Sequence, residues 1–384
     1  MAAHNGFHRL SHGHNDLVLA TTFNLYGTRM VTASSDHRVK VWDLNESTNQ
    51  WIVTDVWTAH DAEVTDVKWN GPYVGEHIST IGEDGLLRLW EEDLTQAPNS
   101  GRRFKKVFEL VSPTGVPFMS LDLKNIGTET YLAAATRDGY LIVCEPEDHD
   151  DLSAWKVLWS EYLCMTPSRT EETGFRLSWH KEKLPAWPAI LAGLDRKSLS
   201  LAVAVGNVVK IFRTDHDRKF YTAAVLEGAK DLVRDVSWAN GSCRGHDLIT
   251  SASKDGCVRI HELHTPGAAS LPKSATITSV ASRQEAGVRT PTTKATSTSG
   301  IGAGLAGAKN KREDVTAQPA GVVKQEAKLV AELSTHSGAP WRVNWSPMGD
   351  LLISSGDDGT VKVWKKAMDG KWLEAVEIDA LKDI

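Results

Sequence analysis

Residues 356–364 read GDDGTVKVW, and near-copies stand at 82–90 (GEDGLLRLW) and at 34–42 (SSDHRVKVW). When the chain is aligned on the residue that ends this stretch, six positions share one pattern, in which an aliphatic residue precedes the aligned slot. The slot is occupied by Trp42, Trp90, Cys144, Phe212, His261 and Trp364. The chain therefore contains six repeated units. Their common stretch either holds a repeated site or joins the parts of a repeated fold.

The residue six positions before the slot indicates what the stretch does. It is Asp in every unit except the fourth, where it is Gly: Asp36, Asp84, Asp138, Gly206, Asp255 and Asp358. In most units Gly or Asn comes next. Asp-Gly ahead of alternating apolar and polar residues is typical of a tight β-hairpin, because Gly and Asn adopt positive φ at little cost. The repeated stretch is thus predicted to be a structural joint.

Three further strands are predicted upstream of the hairpin turns. One lies directly before the turn, as in LLISS (351–355), HISTI (77–81) and RMVTA (29–33). The strand before that ends in a bulky residue: Phe23, Trp69, Leu123, Trp179, Trp238 or Trp345. An earlier strand is visible at 51–57, 223–228 and 329–333. Four short strands per unit, repeated along the chain, predict an all-β fold of six β-propeller blades.

Length, charge and cysteine spacing restrict the class of protein. The 384 residues are 41% hydrophobic and include 14 Trp, enough to bury a large core. The formal net charge of −6 argues against a nucleic-acid binder, which needs surplus Lys and Arg. There is no apolar run of membrane-spanning length, no signal-peptide pattern and no CxxC pair. These features predict a soluble intracellular protein that neither inserts into a membrane nor binds nucleic acid directly.

The repeat resembles the WD40 family over nearly all of the chain outside one insertion. Gly13-His14 matches the family's Gly-His element, and Trp42-Asp43 is a literal Trp-Asp pair. In that family a His, the turn Asp, a Ser or Thr and the Trp form a buried tetrad. The resemblance implies complete tetrads in units one, two and six, built on His14, Asp36 and Trp42; His60, Asp84 and Trp90; and His336, Asp358 and Trp364. The other units lack the His, so their turns are expected to rely on packing and backbone hydrogen bonds.

Three patterns imitate chemical sites, and each has a simpler structural interpretation. A serine at 354 or 355 with His336 and Asp358 imitates a hydrolase triad, but a nucleophile has no reason to recur in three units. Residues 302–307 match GxGxxG without the strand and helix that a dinucleotide site requires. Acidic turns on separate blades do not converge on calcium. We therefore predict no catalytic residue, no cofactor, no metal ligand and no enzymatic activity.

Two insertions interrupt the single propeller predicted for 1–384. Residues 264–326 contain no aromatic residue and are rich in Ala, Ser, Thr and Gly, a composition that predicts disorder. This segment falls in the loop between the third and fourth strands of blade five. Thr290-Pro291 within it is a candidate phosphorylation site, although a solvated linker explains it as well. Residues 183–198 form a smaller insertion in unit four.

The strand count at the two ends bears on function. Residues 371–378 are expected to complete blade six, which leaves residues 6–11 without a blade. An unpaired edge invites strand addition, so one interpretation is an open propeller that receives a blade from a partner. In that case Phe7, Leu10 and the strands of units one and six would border the partner. A closed propeller with a disordered N-terminus fits the strand count equally well.

Residues 17–43 and 340–366 resemble the Seh-type nucleoporins and their siblings, the Sec-type propellers of the COPII coat; the long unit four and the Asp-Asp-Gly of the last turn favour the nucleoporins. The resemblance implies an open six-bladed propeller. An α-solenoid nucleoporin would insert a seventh blade from its N-terminal region, and the pair would join other subunits of the Y-shaped scaffold at the nuclear envelope. The resemblance also implies a role in a vacuolar coat-like complex that controls nutrient signalling.

Other WD40 functions remain as alternatives. A COPII-type coat propeller shares the same resemblance. A substrate receptor of a ubiquitin ligase often carries W-D-x-R at a blade end, whereas residues 42–45 read WDLN. A propeller that reads peptides in its central channel is a further possibility, because the sequence does not show the lining of the channel.

Overall fold

The computed structural model describes residues 10–168, 170–241, 244–266 and 320–379. These residues form 24 strands, grouped into six four-stranded sheets, together with one short helix. In every sheet the strands are neighbours in chain order and pair antiparallel. The predicted six-bladed, all-β propeller is confirmed.

The first three blades occupy the N-terminal half of the chain. Blade one comprises β1 (Val18–Phe23), β2 (Arg29–Ser34), β3 (Arg38–Asn45) and β4 (Gln50–Thr58). Blade two comprises β5 (Val64–Trp69), β6 (His77–Gly82), β7 (Leu86–Glu92) and β8 (Phe104–Val111). Blade three comprises β9 (Phe118–Ile126), β10 (Glu129–Thr136), β11 (Tyr140–Asp148) and β12 (Asp151–Tyr162).

The last three blades follow in the same order. Blade four comprises β13 (Leu177–Trp179), α1 (Trp187–Leu191), β14 (Ser200–Val205), β15 (Val208–Thr214) and β16 (Phe220–Leu226). Blade five comprises β17 (Val233–Trp238), β18 (Asp247–Ser253), β19 (Val258–His264) and β20 (Glu326–Leu333). Blade six comprises β21 (Pro340–Trp345), β22 (Leu351–Gly356), β23 (Thr360–Lys366) and β24 (Trp372–Asp379).

The repeated stretch forms the hairpin between the second and third strands of each blade. In blade six Gly359 has φ +69°, and in blade two Gly85 has φ +77°, as the turn requires. His37 holds the same position in blade one at φ +69°, a conformation that is uncommon for a residue with a Cβ. We call the edge of the propeller that carries these hairpins the upper rim. The loops that join strand one to two and strand three to four lie on the opposite edge, the lower rim.

The ends of the chain and the insertions fall as follows. β24 pairs with β23, so blade six is completed from within the chain. Of the predicted N-terminal strand at 6–11, residues 6–9 lie outside the described residues, and Leu10 and Ser11 are not in a strand. The insertion of unit four contains α1, whose Ala189 packs with Leu194 and Val323. Most of the insertion at 264–326 lies outside the described residues.

Candidate functional site

Three of the hairpin turns are held by a His–Thr/Ser–Trp–Asp tetrad. In blade two His60 Nδ1 lies 3.0 Å from Asp84 Oδ1, and its Nε2 lies 2.8 Å from Thr80 Oγ1. The indole of Trp90 donates to the same Thr80 oxygen at 3.0 Å. The same set recurs in blade one (His14, Asp36, Thr32 and Trp42) and in blade six (His336, Asp358, Ser354 and Trp364).

The direction of the hydrogen bonds in the tetrad follows from its chemistry. An indole N–H can only donate, so the hydroxyl oxygen accepts it, the hydroxyl proton goes to His Nε2, and Nδ1–H donates to the carboxylate. Burial lowers the pKa of His14 and of His60 in spite of the neighbouring Asp, which keeps the rings neutral for this relay. Ser354 is fully buried between its two partners. The tetrad is structural, and its serine is not exposed to a substrate.

The turns of blades three and five use side chains where the tetrad His is missing. Asp138 accepts hydrogen bonds from the hydroxyls of Thr114 (3.2 Å) and Thr136. Asp255 accepts the N–H of Lys230 at 2.8 Å and forms an ion pair with Arg259, also at 2.8 Å. The expectation that packing and backbone bonds alone hold these turns is therefore wrong for two of the three units.

Replacing Thr80 by Val is expected to lower the free energy of unfolding by about 1–3 kcal/mol, because His60 and Trp90 would each lose a partner inside the fold. Thr250 gives a matched control. It is equally buried on the second strand of blade five, but its hydroxyl has no hydrogen-bond partner among the described residues. Thr250→Val should leave stability unchanged or raise it. Urea denaturation of both variants measures the difference, and equal losses would contradict this role of the tetrad.

The blade-six tetrad also predicts a pH dependence of stability. Burial alone would raise the pKa of Asp358, but hydrogen bonds from Thr360 and His336 lower it from 3.8 to about 2. A carboxyl whose pKa is depressed in the folded state stabilises the fold above its unfolded pKa and loses that contribution as pH falls through the folded value. The stability advantage over Asp358→Asn should therefore shrink between about pH 4 and pH 2. Unfolding curves across that range test this, and a constant difference would refute it.

The packing between blades follows one register. At the third and fifth positions after the turn Asp, or after Gly206 in blade four, blades one to five carry aliphatic residues, as do most of their cross-strand neighbours. The side chains at these third and fifth positions are all buried: Val39 and Val41; Leu87 and Leu89; Leu141 and Val143; Val209 and Ile211; Val258 and Ile260. In blade one they pack against Trp90 and Phe104 of blade two. The aliphatic face of each of these blades therefore meets the face of the next blade that carries the slot residue.

Blade six breaks this rule. Its equivalent residues, Val361 and Val363, are only partly buried. Their neighbours Ile353 and Val376 are 41% and 45% exposed. The aliphatic face of blade six thus has the composition of a blade interface but lacks the cover that the other five receive.

Blade one also exposes apolar side chains, at a position that is buried in most of the other blades. Phe23 ends β1 at the position where Leu123, Trp179, Trp238 and Trp345 are buried in later blades, yet it is 51% exposed. Leu25 and Tyr26, which follow Phe23, are exposed as well, and so is Leu17, at the other end of β1. Two apolar faces, on the first and last blades, therefore border one opening, which we call the open edge.

Contacts between the innermost strands locate the same opening. β1, β5, β9, β13, β17 and β21 contact one another in sequence, whereas no comparable contact joins β21 to β1 in the described chain. Side chains on these strands accept backbone N–H groups of the next blade. Asp122 Oδ2 accepts from Trp179 at 2.8 Å, and Asp235 Oδ2 accepts from Val343 at 2.9 Å. Asn344 of blade six corresponds in register to Ser178, which accepts the N–H of Trp238 at 2.9 Å.

The residues predicted from the sequence fall in two groups. The tetrad residues come together as described above. Phe7 lies outside the described residues, and Leu10 is half-buried outside any strand. Sequence reasoning did not single out Phe23, Asn344 or Ile353. The signal available for Phe23 was a phenylalanine at a position where four of the six units carry Trp.

The described residues show neither a membrane-spanning helix nor a cluster of metal ligands. No helix there is long and apolar enough to cross a membrane. No group of three or more His, Cys, Asp or Glu side chains in those ranges is arranged to hold a metal ion.

Comparison with known proteins agrees with this architecture. The family described as WD domain, G-beta repeat matches residues 7–43 and 327–365. The chain is 29% identical to Nucleoporin SEH1 of Saccharomyces cerevisiae, over 92% of this chain and 93% of that protein. It is 28% identical to Nucleoporin seh1 of Schizosaccharomyces pombe (92% and 90%) and 28% identical to Nucleoporin SEH1 of Homo sapiens (94% and 84%). The predicted resemblance is confirmed.

Proposed function

We propose that this chain, a WD40-repeat propeller similar to the SEH1 nucleoporins, is a structural scaffold subunit of the nuclear pore complex whose open edge is filled by a blade from a partner protein. The name of the relatives supports the nuclear pore as its location. The observation that carries the mechanism is the uncovered aliphatic face of blade six, centred on Ile353. The function is assembly rather than catalysis.

The packing register determines what the inserted blade presents. In the other interfaces an aliphatic face meets an aromatic or bulky face of the following blade. The inserted blade therefore presents bulky side chains to Ile353 and Val363, and small aliphatic side chains to Phe23. Its direction in the gap is fixed, because the two borders of the gap are chemically different.

Hydrogen bonds from the inner strands set the position of the inserted blade along the axis of the propeller. Asn344 Oδ1 accepts the N–H of Trp345 at 2.9 Å, which leaves its amide N–H groups at the gap. Asp122 makes the same bond to Leu123 at 2.9 Å while its second oxygen accepts from the next blade. Asn344 can bind the innermost strand of an inserted blade from the same position, but its amide N–H would donate to a carbonyl oxygen of that strand. A bond of this kind joins a side chain of blade six to the main chain of the partner, so it depends little on the partner's sequence.

The partner that fits this description is the N-terminal region of an α-solenoid nucleoporin, which contributes the seventh blade and brings the propeller to the other subunits of the Y-shaped scaffold. We expect Leu10 to border the inserted blade, as the sequence also predicts for Phe7, which lies outside the described residues. A scaffold of this kind supports transport of protein and mRNA between nucleus and cytoplasm without contacting the cargo. The same open edge would serve a vacuolar coat complex or a COPII-type coat if the solenoid belongs to one.

Co-expression tests the proposal and identifies the complex. The full chain is expressed with N-terminal segments of α-solenoid nucleoporins, and in parallel with those of vacuolar and COPII coat solenoids. The true partner should co-elute at 1:1 and raise the melting temperature, because it binds the folded state only. Failure of every solenoid, with the chain alone remaining a stable monomer, would refute completion in trans and favour an ordinary WD40 adaptor.

A further inference from the structure

Ion pairs join most of the successive blades near the lower rim. In blades three, four and five the residue directly after the slot residue contributes to this ion pair, and we call that place the pairing position. It lies on the aliphatic face, which meets the following blade. Each of the three residues has a partner of opposite charge in that blade: Glu145 pairs with Arg218 at 2.5 Å, Arg213 with Asp247 at 2.7 Å, and Glu262 with Lys366 at 3.4 Å.

Blade one reaches the same arrangement through one additional residue. Asp43 holds its pairing position and forms an ion pair at 2.8 Å with Arg29 of the same blade. Arg29 also pairs with Glu92 of blade two at 2.6 Å. In blade two the residue at the pairing position is Glu91, which forms no ion pair in the described part of the chain. A charge pair therefore crosses the interface after blades one, three, four and five.

Lys365 holds the pairing position in blade six, and it is exposed. It follows Val363 by two residues on β23, so its side chain lies on the uncovered aliphatic face. Its cross-strand neighbours are Leu351 and Leu373, and Leu373 is 54% exposed. Among the residues that the structure describes, no carboxylate lies within ion-pair distance of the Lys365 ammonium group.

Two carboxylates in the lower-rim loops on either side of β23 have other partners. Asp350 accepts the hydroxyl of Ser346 at 2.6 Å, and Asp369 lies 3.8 Å from Lys371 Nζ. The hydrogen bond from Ser346 lowers the pKa of Asp350, and the charge of Lys365 adds to this from beyond ion-pair distance. Neither carboxylate takes the place of the partner that a following blade supplies elsewhere in the ring.

The uncovered face of blade six carries positive charge. Arg342, on β21, is a second cation there, and it too forms no ion pair within the described ranges. The acidic residues of β24 lie on the opposite face: Glu374, Glu377 and Asp379. On that face Glu374 and Glu377 pair with Lys362, at 3.0 Å and 3.3 Å. A blade inserted at the open edge thus meets cations without carboxylates on this border.

We propose that the inserted blade carries a carboxylate that forms an ion pair with Lys365. This inference rests on the proposed function and adds a requirement on the partner's sequence. In the covered interfaces the partner residue stands two positions after the slot residue, as Lys366 does, or opposite that position on the neighbouring strand, as Asp247 does. The carboxylate therefore lies near the lower end of the second or third strand of the inserted blade, on the side that meets blade six.

The ion pair contributes to the choice of partner. An inserted blade removes water from Lys365 and surrounds it with the apolar side chains of the interface. A blade with a carboxylate at this level replaces the lost water, whereas a blade without one leaves the ammonium group unpaired, which is costly. Main-chain and apolar contacts alone are common to many blades, so the charge at Lys365 discriminates among α-solenoid segments.

Charge reversal at Lys365 tests the proposal in the full chain. The probe is the α-solenoid segment that co-elutes with the wild-type chain, and calorimetry measures its affinity. Lys365→Glu should lower the affinity at least about tenfold, because two carboxylates would then face each other. Lys365→Arg keeps the charge and should bind as the wild type does. Lys328→Glu is the matched control, since Lys328 is exposed on β20 of blade five and its reversal changes the net charge equally.

A compensating change in the segment identifies the carboxylate. Each Asp and Glu of the segment is replaced in turn by Lys. One replacement should restore the affinity for Lys365→Glu and weaken binding to the wild-type chain. The pairing is overturned if Lys365→Glu binds normally while Ile353→Asp does not, a result that leaves the inserted blade itself intact. It is also overturned if Lys328→Glu weakens binding as much, or if no replacement compensates. If no solenoid segment binds the wild-type chain, the proposed function and this inference fall together.

Discussion

Replacing Ile353 by Asp is expected to abolish binding of the blade-inserting partner and leave the propeller folded. Ile353 is 41% exposed in the free chain, so a carboxylate there stays solvated before binding. An inserted blade would strip water from that carboxylate without offering it a partner, at a cost of several kcal/mol. We expect affinity to fall at least about 100-fold, which corresponds to about 2.7 kcal/mol. Co-elution and calorimetry with the solenoid segment measure it.

A matched variant separates this effect from a general loss of stability. Val157 is also exposed on a strand, with 56% of its surface accessible, but it lies in blade three, away from the open edge. Val157→Asp should bind the partner as the wild type does. Both variants should melt near the wild-type temperature when alone. If Ile353→Asp folds as the wild type does and still binds the partner normally, the open edge is not the binding site.

Replacing Asp247 by Ala is expected to destabilise the fold strongly. Arg213 is fully buried, and its guanidinium donates at 2.7 Å each to Asp247, Ser200 and Gln325. Removal of the carboxylate would leave a buried cation without its counter-charge, which typically costs about 3–5 kcal/mol. The melting temperature should fall accordingly.

The double variant Arg213→Met with Asp247→Leu tests whether the buried cation without its counter-charge causes this loss of stability. Removing both charges avoids the uncompensated cation, and buried ion pairs replaced by apolar residues are often tolerated. We expect the double variant to be clearly more stable than Asp247→Ala. If it is equally unstable, packing at these positions matters more than the ion pair. Urea unfolding of all three chains gives the comparison.

The repeat could be predicted from the sequence because its signals are local. The Asp-Gly hairpin turns and the alternation of the third strand are determined within a few residues, as in Asp358 to Trp364. The tetrad residues follow from their fixed positions in each unit, and the family resemblance supplied their roles. Because β24 pairs within blade six, the predicted last strand is also in place.

What the sequence did not reveal depends on distant parts of the chain. Phe23 and Ile353 look like core residues in their own units, and they are exposed where β21 and β1, in the described residues, lack the contact that joins the other inner strands. The ion pair of Arg213 joins it to Asp247, 34 positions away, and a further hydrogen bond of the same guanidinium reaches Gln325, 112 positions away. The helix α1 is too short for its periodicity to stand out.

Hydrogen–deuterium exchange of the chain, alone and with its solenoid partner, tests the central claim most directly. A blade inserted at the open edge should slow amide exchange in β1 (Val18–Phe23) of blade one and in β21 (Pro340–Trp345) and β22 (Leu351–Gly356) of blade six. Blade three, on the far side of the ring, should exchange at an unchanged rate. Slower exchange confined to blades one and six is the predicted result. Protection centred on blade three, or on none of the blades, would contradict the claim that this propeller is completed by a partner's blade.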